Sequence, residues 1–138
     1  MTAKEFLNSY KTETSKLRIY EEEIERLQTE AESVTQRIDG MPAAGKISDR
    51  VGNIASKMAD LTIEAMIQRD KCTLARKEII NTIMRISRNE QIDVLYKRYI
   101  NGMKWEEIAV DMNYNYRTVL KIHGRALVEI EKLLEDVK

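Results

Sequence analysis

The stretch YKRYINGMKWEEIAVDMNYNYRTVLKIHGRALVEIEKLL, Tyr96–Leu134, decides how the chain is read. It breaks at Asn101-Gly102 and again at Asn113-Tyr114-Asn115, which leaves two short helices and one longer one. Gly102 stands where a helix end needs a residue that tolerates positive φ. Glu106 and Glu107 fall in the first turn of the next helix, where negative charge complements the helix dipole. Ile108, Ala109 and Met112 give that helix an apolar stripe. Asn115 is a good N-cap for the third helix, because its side-chain oxygen can accept from an early backbone N–H. The expected buried face of that helix is Val119, Ile122, Ala126, Ile130 and Leu133, at spacings of three and four. A small residue at Ala109, a turn of three residues and then Thr118-Val119 entering a helix is the pattern of a helix-turn-helix. An ordinary three-helix bundle without a ligand fits the same periodicity.

The face of the third helix turned away from that stripe carries Asn115, Tyr116, Arg117, Leu120, Lys121 and Arg125. Residues near the start of a recognition helix enter the major groove of DNA. Arg117 is the candidate for a base contact, since a guanidinium pairs bidentately with guanine. Lys121 and Arg125 are candidates for phosphate contacts, which position a protein without reading sequence. Tyr116 is placed either to touch DNA or simply to cover the turn. His123 borders the core stripe and reads as a packed histidine rather than a DNA reader. Gly124, inside the helix, costs about 1 kcal/mol relative to Ala, a cost that close approach of backbone or of DNA would explain.

Tyr99-Ile100-Asn101-Gly102-Met103-Lys104-Trp105-Glu106-Glu107-Ile108-Ala109, followed by Thr118-Val119 and Arg125-Ala126-Leu127, resembles region 4 of sigma-70-type transcription factors. Their general form is RY-x-x-G-x-[ST]-x-x-EIA, a turn, then TV and a downstream RAL. The chain is more closely similar to small bacteriophage and prophage transcriptional regulators of the RinA/ArpU type. In those a sigma-like helix-turn-helix follows a long helical half, and an IHGRAL recognition helix recurs. Gly40-Met41-Pro42 and Ser48-Asp49-Arg50-Val51-Gly52-Asn53 extend the likeness more loosely toward the N-terminus. The resemblance implies double-stranded promoter DNA as a ligand, with Asn115, Tyr116, Arg117, Thr118, Leu120, Lys121 and Arg125 as the DNA-binding set. It also implies a surface for bacterial RNA polymerase, action in the cytoplasm of a bacterial host, and Trp105 as a core anchor. Lys104 departs from the pattern: it occupies the position of the usual Ser or Thr cap and cannot accept the capping hydrogen bond.

Upstream, Ala3 to Ile38 contains neither proline nor glycine and keeps a heptad. Its a positions are Ala3, Tyr10, Leu17, Ile24, Ala31 and Ile38, and its d positions Phe6, Glu13, Tyr20, Leu27 and Val34. Glu13 is the one clear fault. Glu21, Glu22, Glu23 and Glu25 read as a solvated face. Asp39-Gly40-Met41-Pro42 ends this helix, Ala43 to Ile47 connect, and Ser48 is a fair N-cap for a second helix over Asp49–Ser87. Val51, Met58, Ala65, Cys72, Ile79 and Ile86 recur there every seven residues, joined by Ile54, Leu61 and Ala75, with Gln68 and Thr82 weakening the stripe. Gly52 in the first turn suggests close approach by the first helix or by another chain. Two long helices, each ~55 Å, joined by a short loop should lie antiparallel, although heptads fit an intermolecular coiled coil equally well. Glu90–Ile100 is expected to be one helix with Ile92, Leu95, Tyr96 and Tyr99 on its apolar side.

Composition sets the outer limits. The 138 residues hold one proline and five glycines, and helix formers fill nearly every segment, so an all-α fold is expected. The expected architecture is a long coiled-coil-like hairpin, 1–88, for oligomerisation or partner binding, followed by a helix-turn-helix domain, 89–138. Net charge is zero, which argues against indiscriminate nucleic-acid binding. Its distribution is uneven: residues 40–88 hold 9 Lys/Arg against 5 Asp/Glu, while 1–39 hold 6 against 9. Cys72 and His123 are the only residues of their kinds, and no phosphate-binding or dinucleotide glycine motif occurs, so no enzyme, metal site or cofactor is expected. No apolar run approaches eighteen residues, and no membrane partner is expected. Three functions fit: a transcriptional regulator, for which the long helices offer a homodimer seam; a helical adaptor whose working surface is the long helices; and a small DNA-packaging subunit resembling the small subunit of a terminase.

Overall fold

The computed structural model describes residues 1–36 and 44–136. Regular structure among them is helical throughout, without a strand. In order they form α1 (Ala3–Gln36), α2 (Ala44–Ile83), α3 (Asn89–Leu95), a π-helical turn (Tyr96–Ile100), α4 (Trp105–Met112) and α5 (Tyr116–Glu135). The expected break at Asp39-Gly40-Met41-Pro42, and the heptad position Ile38, lie outside the described residues.

α1 opens with a reciprocal cap. The Glu5 N–H donates to Thr2 Oγ1 at 3.2 Å while the Thr2 N–H donates to Glu5 Oε2 at 3.3 Å, a T-x-x-E capping box. Its heptad positions are covered as expected, with Ala3, Leu27 and Val34 buried and Tyr10, Leu17, Tyr20 and Ile24 half-buried. Leu7, outside the heptad seam, is fully buried too.

α2 begins at Ala44, so Ser48 lies inside the helix and is not its cap. Nothing between Ala44 and Ser48 prevents helix: the segment lacks proline, and its glycine is tolerated near a helix start. α2 ends at Ile83, four residues before the expected Ser87. The chain tightens there: the Arg85 N–H donates to Thr82 O (3.1 Å) and the Ile86 N–H to Ile83 O (3.0 Å), the three-residue bonds with which helices commonly close. The two weak places in the α2 stripe resolve differently. Gln68 is itself buried, whereas at Thr82 the neighbouring Ile83 takes over the core position. A Cβ at Gly52 would meet nothing among the described residues within 4 Å, so the described part of α1 does not make the close approach expected of it.

The chain divides into two compact units. One comprises Met1–Glu13 with Cys72–Lys138, the other Thr14–Lys71. These do not follow the 1–88 and 89–138 division expected from the motif, because both ends of the chain and the end of α2 share a core. In the first unit Ala3, Leu7, Ile79, Ile83, Ile86, Leu95, Ala126 and Ile130 pack together. A second cluster joins Val94, Ile108, Ala109, Val119 and Ile122, flanked by Met103, Trp105 and Met112. α5 serves both clusters, which fixes its roll about its own axis. The backbone N–H of Ala3 donates to Glu131 Oε1 at 2.9 Å, tying the start of α1 to α5. In the second unit Leu27 and Val34 of α1 pack with Ile54 of α2, supported by Val51, Met58 and Leu61.

The segment expected as one helix over Glu90–Ile100 changes character at Tyr96, where the Asn101 N–H reaches back five residues to Tyr96 O at 3.1 Å. The buried side of α3 is Gln91, Val94 and Leu95, at i, i+3 and i+4. Tyr96, one step past that face, is 36% exposed rather than buried, and Val94 takes the place expected for it.

Candidate nucleic-acid interface

Asn101 and Gly102 end the π turn. Gly102 has φ +67°, the left-handed conformation expected of it, and the Met103 N–H closes the turn on Lys97 O at 3.0 Å. Two side chains brace the connection to α4. Lys97 Nζ lies 2.8 Å from Asp111 Oδ2, and that hydrogen bond holds the lysine pKa above its ordinary value. Arg98 Nη1 donates to Met103 O at 3.0 Å, and its guanidinium carbon sits 4.5 Å from the centre of the Trp105 ring, a cation–π contact.

α4 starts without a cap: Lys104 is extended, at φ −71° and ψ 153°, and its side chain makes no capping bond. Glu106 and Glu107 occupy the first turn. Ile108 and Ala109 are buried, and Met112 packs beside them. The helix stops at Asn113, which takes φ 59°, a conformation Asn tolerates better than most residues. Asn115 then caps α5, its Oδ1 accepting from the Thr118 N–H at 2.8 Å. The turn between the two helices is thus Asn113-Tyr114-Asn115, the segment expected.

On α5 the inner stripe is Val119, Ile122, Ala126 and Ile130, all buried, with Leu133 half-buried at its end. His123 is buried beside them. Its Nε2 lies 2.7 Å from the Tyr99 hydroxyl, and its ring meets Trp105 edge-on at 4.5 Å. Burial, with Lys4 and Arg98 nearby, lowers the histidine pKa to about 4. Burial also raises that of Tyr99, so near neutral pH both rings are uncharged and share one hydrogen bond. His123 is a core residue, as its position beside the stripe implied.

The outer face of α5 carries the expected set. Asn115, Tyr116, Arg117, Leu120, Lys121 and Arg125 are exposed, whereas Thr118 is half-buried with its N–H taken by the cap. By the 3.6-residue repeat, Arg117, Leu120, Lys121, Gly124 and Val128 form a single ridge opposite the buried stripe. Leu120 and Val128 are 37% and 53% exposed, so the ridge alternates cations with apolar groups. Arg125 stands at its edge and, with Arg88 and Gln91, lines a groove of about 350 Å³. Arg88 was not among the expected residues: it precedes α3 and pairs with Glu90 at 3.7 Å, and with Glu129 in the same lining the groove edge is of mixed charge. Gln91 Oε1 is buried in the groove wall without a hydrogen-bond partner. Among the described residues no cluster of His, Cys, Asp and Glu is arranged to hold a metal ion. No helix among them is long and apolar enough to cross a membrane.

Comparison with protein-family models, with curated proteins and with solved structures finds no match to this chain.

Proposed function

We propose that the chain is a phage or prophage transcriptional regulator that binds promoter DNA through α4 and α5, acting as a helix-turn-helix similar to sigma-70 region 4. The observation that carries this reading is the outer ridge of α5. Arg117 and Lys121 stand exposed on it, immediately after a capped three-residue turn, while the opposite stripe is buried against α3 and α4. That is the arrangement a recognition helix needs: one face anchored, the other free to enter a major groove. Arg117 reads a base, and Lys121 and Arg125 meet phosphates. On this reading the residues from 89 onward form the DNA-binding part, and the long helices pair within the chain as a hairpin. The buried contacts of Leu27 and Val34 with Ile54, and of Ala3 and Leu7 with Ile79 and Ile83, support that pairing. Host RNA polymerase is the proposed partner, on the strength of the sigma resemblance, and the bacterial cytoplasm the proposed place of action.

A second reading, a helical adaptor, is favoured by the outer side of α2. Ile63, Met66 and Ile67 are 57%, 59% and 50% exposed there and share one face, which suits either a protein partner or a second copy of the chain.

The test is retention on duplex fragments of the genomic segment that encodes the chain, across a salt series, with Arg117→Ala beside the natural protein. The regulator reading expects one promoter-proximal fragment to be preferred, the preference to vanish in Arg117→Ala, and affinity to fall steeply with salt. Retention of no fragment at low salt by a folded protein overturns it and leaves the adaptor.

A further inference from the structure

Gly124 lies in the interior of α5, where glycine is a poor choice, yet nothing among the described residues requires it. Beyond the backbone of its own helix, a Cβ built there meets no atom of the described residues within 4 Å, and the residue has no positive φ to relieve. It is exposed, at the crest of the ridge, with Arg117 and Leu120 two turns and one turn before it, Lys121 beside it and Val128 one turn after. Among the described residues no ion pair engages Arg117, Lys121 or Arg125, so these cations are available to an external anion.

A glycine favours close approach to a helix backbone. As no other described part of this chain makes that approach, it comes from outside. The surrounding cations select a polyanion over an apolar partner. We infer that Gly124 is where α5 lies against a DNA sugar–phosphate strand, its missing side chain letting the strand come near enough for Lys121 and Arg125 to reach adjacent phosphates. The inference rests on the DNA-binding reading above and adds a steric element to it: contact depth is set by a residue that bonds to nothing.

Gly52 supplies an internal control. It too is exposed within a helix, with nothing among the described residues within 4 Å of its Cβ position, but it lies in α2, in the other compact unit. Alanine at either position should stabilise the fold, raising Tm by about 3–5 °C through better helix propensity. The two should part company on DNA. With the genomic duplex best retained by the natural protein as probe, Gly52→Ala should bind unchanged. Gly124→Ala should bind about tenfold more weakly and Gly124→Leu weaker still. If the strand is held away from Lys121 and Arg125, the slope of log affinity against log salt should also become shallower by about 1–2, one phosphate contact being worth roughly 0.9.

Unchanged affinity in Gly124→Ala and Gly124→Leu overturns the inference while leaving the DNA-binding reading intact. So does an affinity loss with the salt slope unaltered, which would mean a change in α5 itself rather than a displaced strand. Failure of the natural protein to bind any fragment brings down the DNA-binding reading, and this inference with it, before a variant is measured.

Discussion

The two compact units use the same sequence device to very different effect. Both contain a piece of α1 packed on a piece of α2 through residues at heptad spacing. In the unit of Met1–Glu13 and Cys72–Lys138 that seam is overlaid by α3 and α5, and Leu7, Ile79, Ile83, Leu95 and Ile130 are buried to 1% exposure or less. In the unit of Thr14–Lys71 the described elements are those two helices alone. Leu27, Val34 and Ile54 are buried, but their neighbours Ala31, Val51, Met58 and Leu61 are only partly so. A heptad specifies which face of a helix is inward. How deeply that face is buried depends on what else arrives to cover it, and two helices alone bury one stripe each.

The largest expected effect comes from testing that contrast directly. Ile79→Ala removes a fully buried side chain from a core closed on several sides, and should cost about 4 kcal/mol in urea unfolding. Ile54→Ala, whose partly exposed neighbours can relax into the space, should cost about 2–3 kcal/mol. Equal losses at the two sites would mean that the second unit is as rigidly packed as the first, and the comparison would fail.

Acid should separate the units, because only the first holds a buried histidine. His123 belongs to the first unit, and its pKa is about 4 when folded against 6.5 ordinarily. Between those values the unfolded chain binds the extra proton and the folded chain does not, so stability is full above pH 6.5 and declines as pH falls toward 4. Unfolding followed by the fluorescence of Trp105, whose ring meets His123 at 4.5 Å, should show this loss, and His123→Gln should flatten it. A pH profile identical in His123→Gln would place the acid-sensitive group elsewhere. A smaller change is expected at the start of α5, where Asn115→Ala removes the bond to the Thr118 N–H and should cost about 1 kcal/mol.

Much of this was legible in the residues, and the exceptions have physical causes. The turn at Asn113–Asn115, the positive φ at Gly102 and the α5 stripe follow from local chemistry that the sequence displays openly. So does the Thr2–Glu5 capping box, whose T-x-x-E signature stands in the sequence beside a longer pattern that draws attention first. The π turn at Tyr96–Ile100 was not legible, because its five-residue hydrogen bond goes with tertiary ties: Lys97 to Asp111, Arg98 over Trp105 and Tyr99 to His123. No periodicity within eleven residues announces those partners. Nor did the sequence show that Arg88 would stand beside Arg125 in one groove, for they lie 37 positions apart. On the α5 face itself the helical repeat was enough, since exposure there follows once the buried stripe is known.

The smallest effect tests a compromise within the first unit. α5 has an N-cap hydrogen bond and α4 has none, because Lys104 stands where a hydroxyl would accept. Lys104 also places a cation at the positive end of the helix dipole, which is unfavourable. Lys104→Ser should therefore stabilise the protein, by about 0.5 kcal/mol. A chain that caps α5 well and leaves α4 uncapped has a reason to keep the lysine only if its charge is used elsewhere. If Lys104 meets a DNA phosphate from the start of α4, the stabilised Lys104→Ser variant should bind duplex DNA several-fold more weakly on every sequence, with a salt slope shallower by about 0.9. A stabilised variant that binds as tightly as the natural protein would remove Lys104 from the interface and confine the phosphate contacts to α5 and its groove edge.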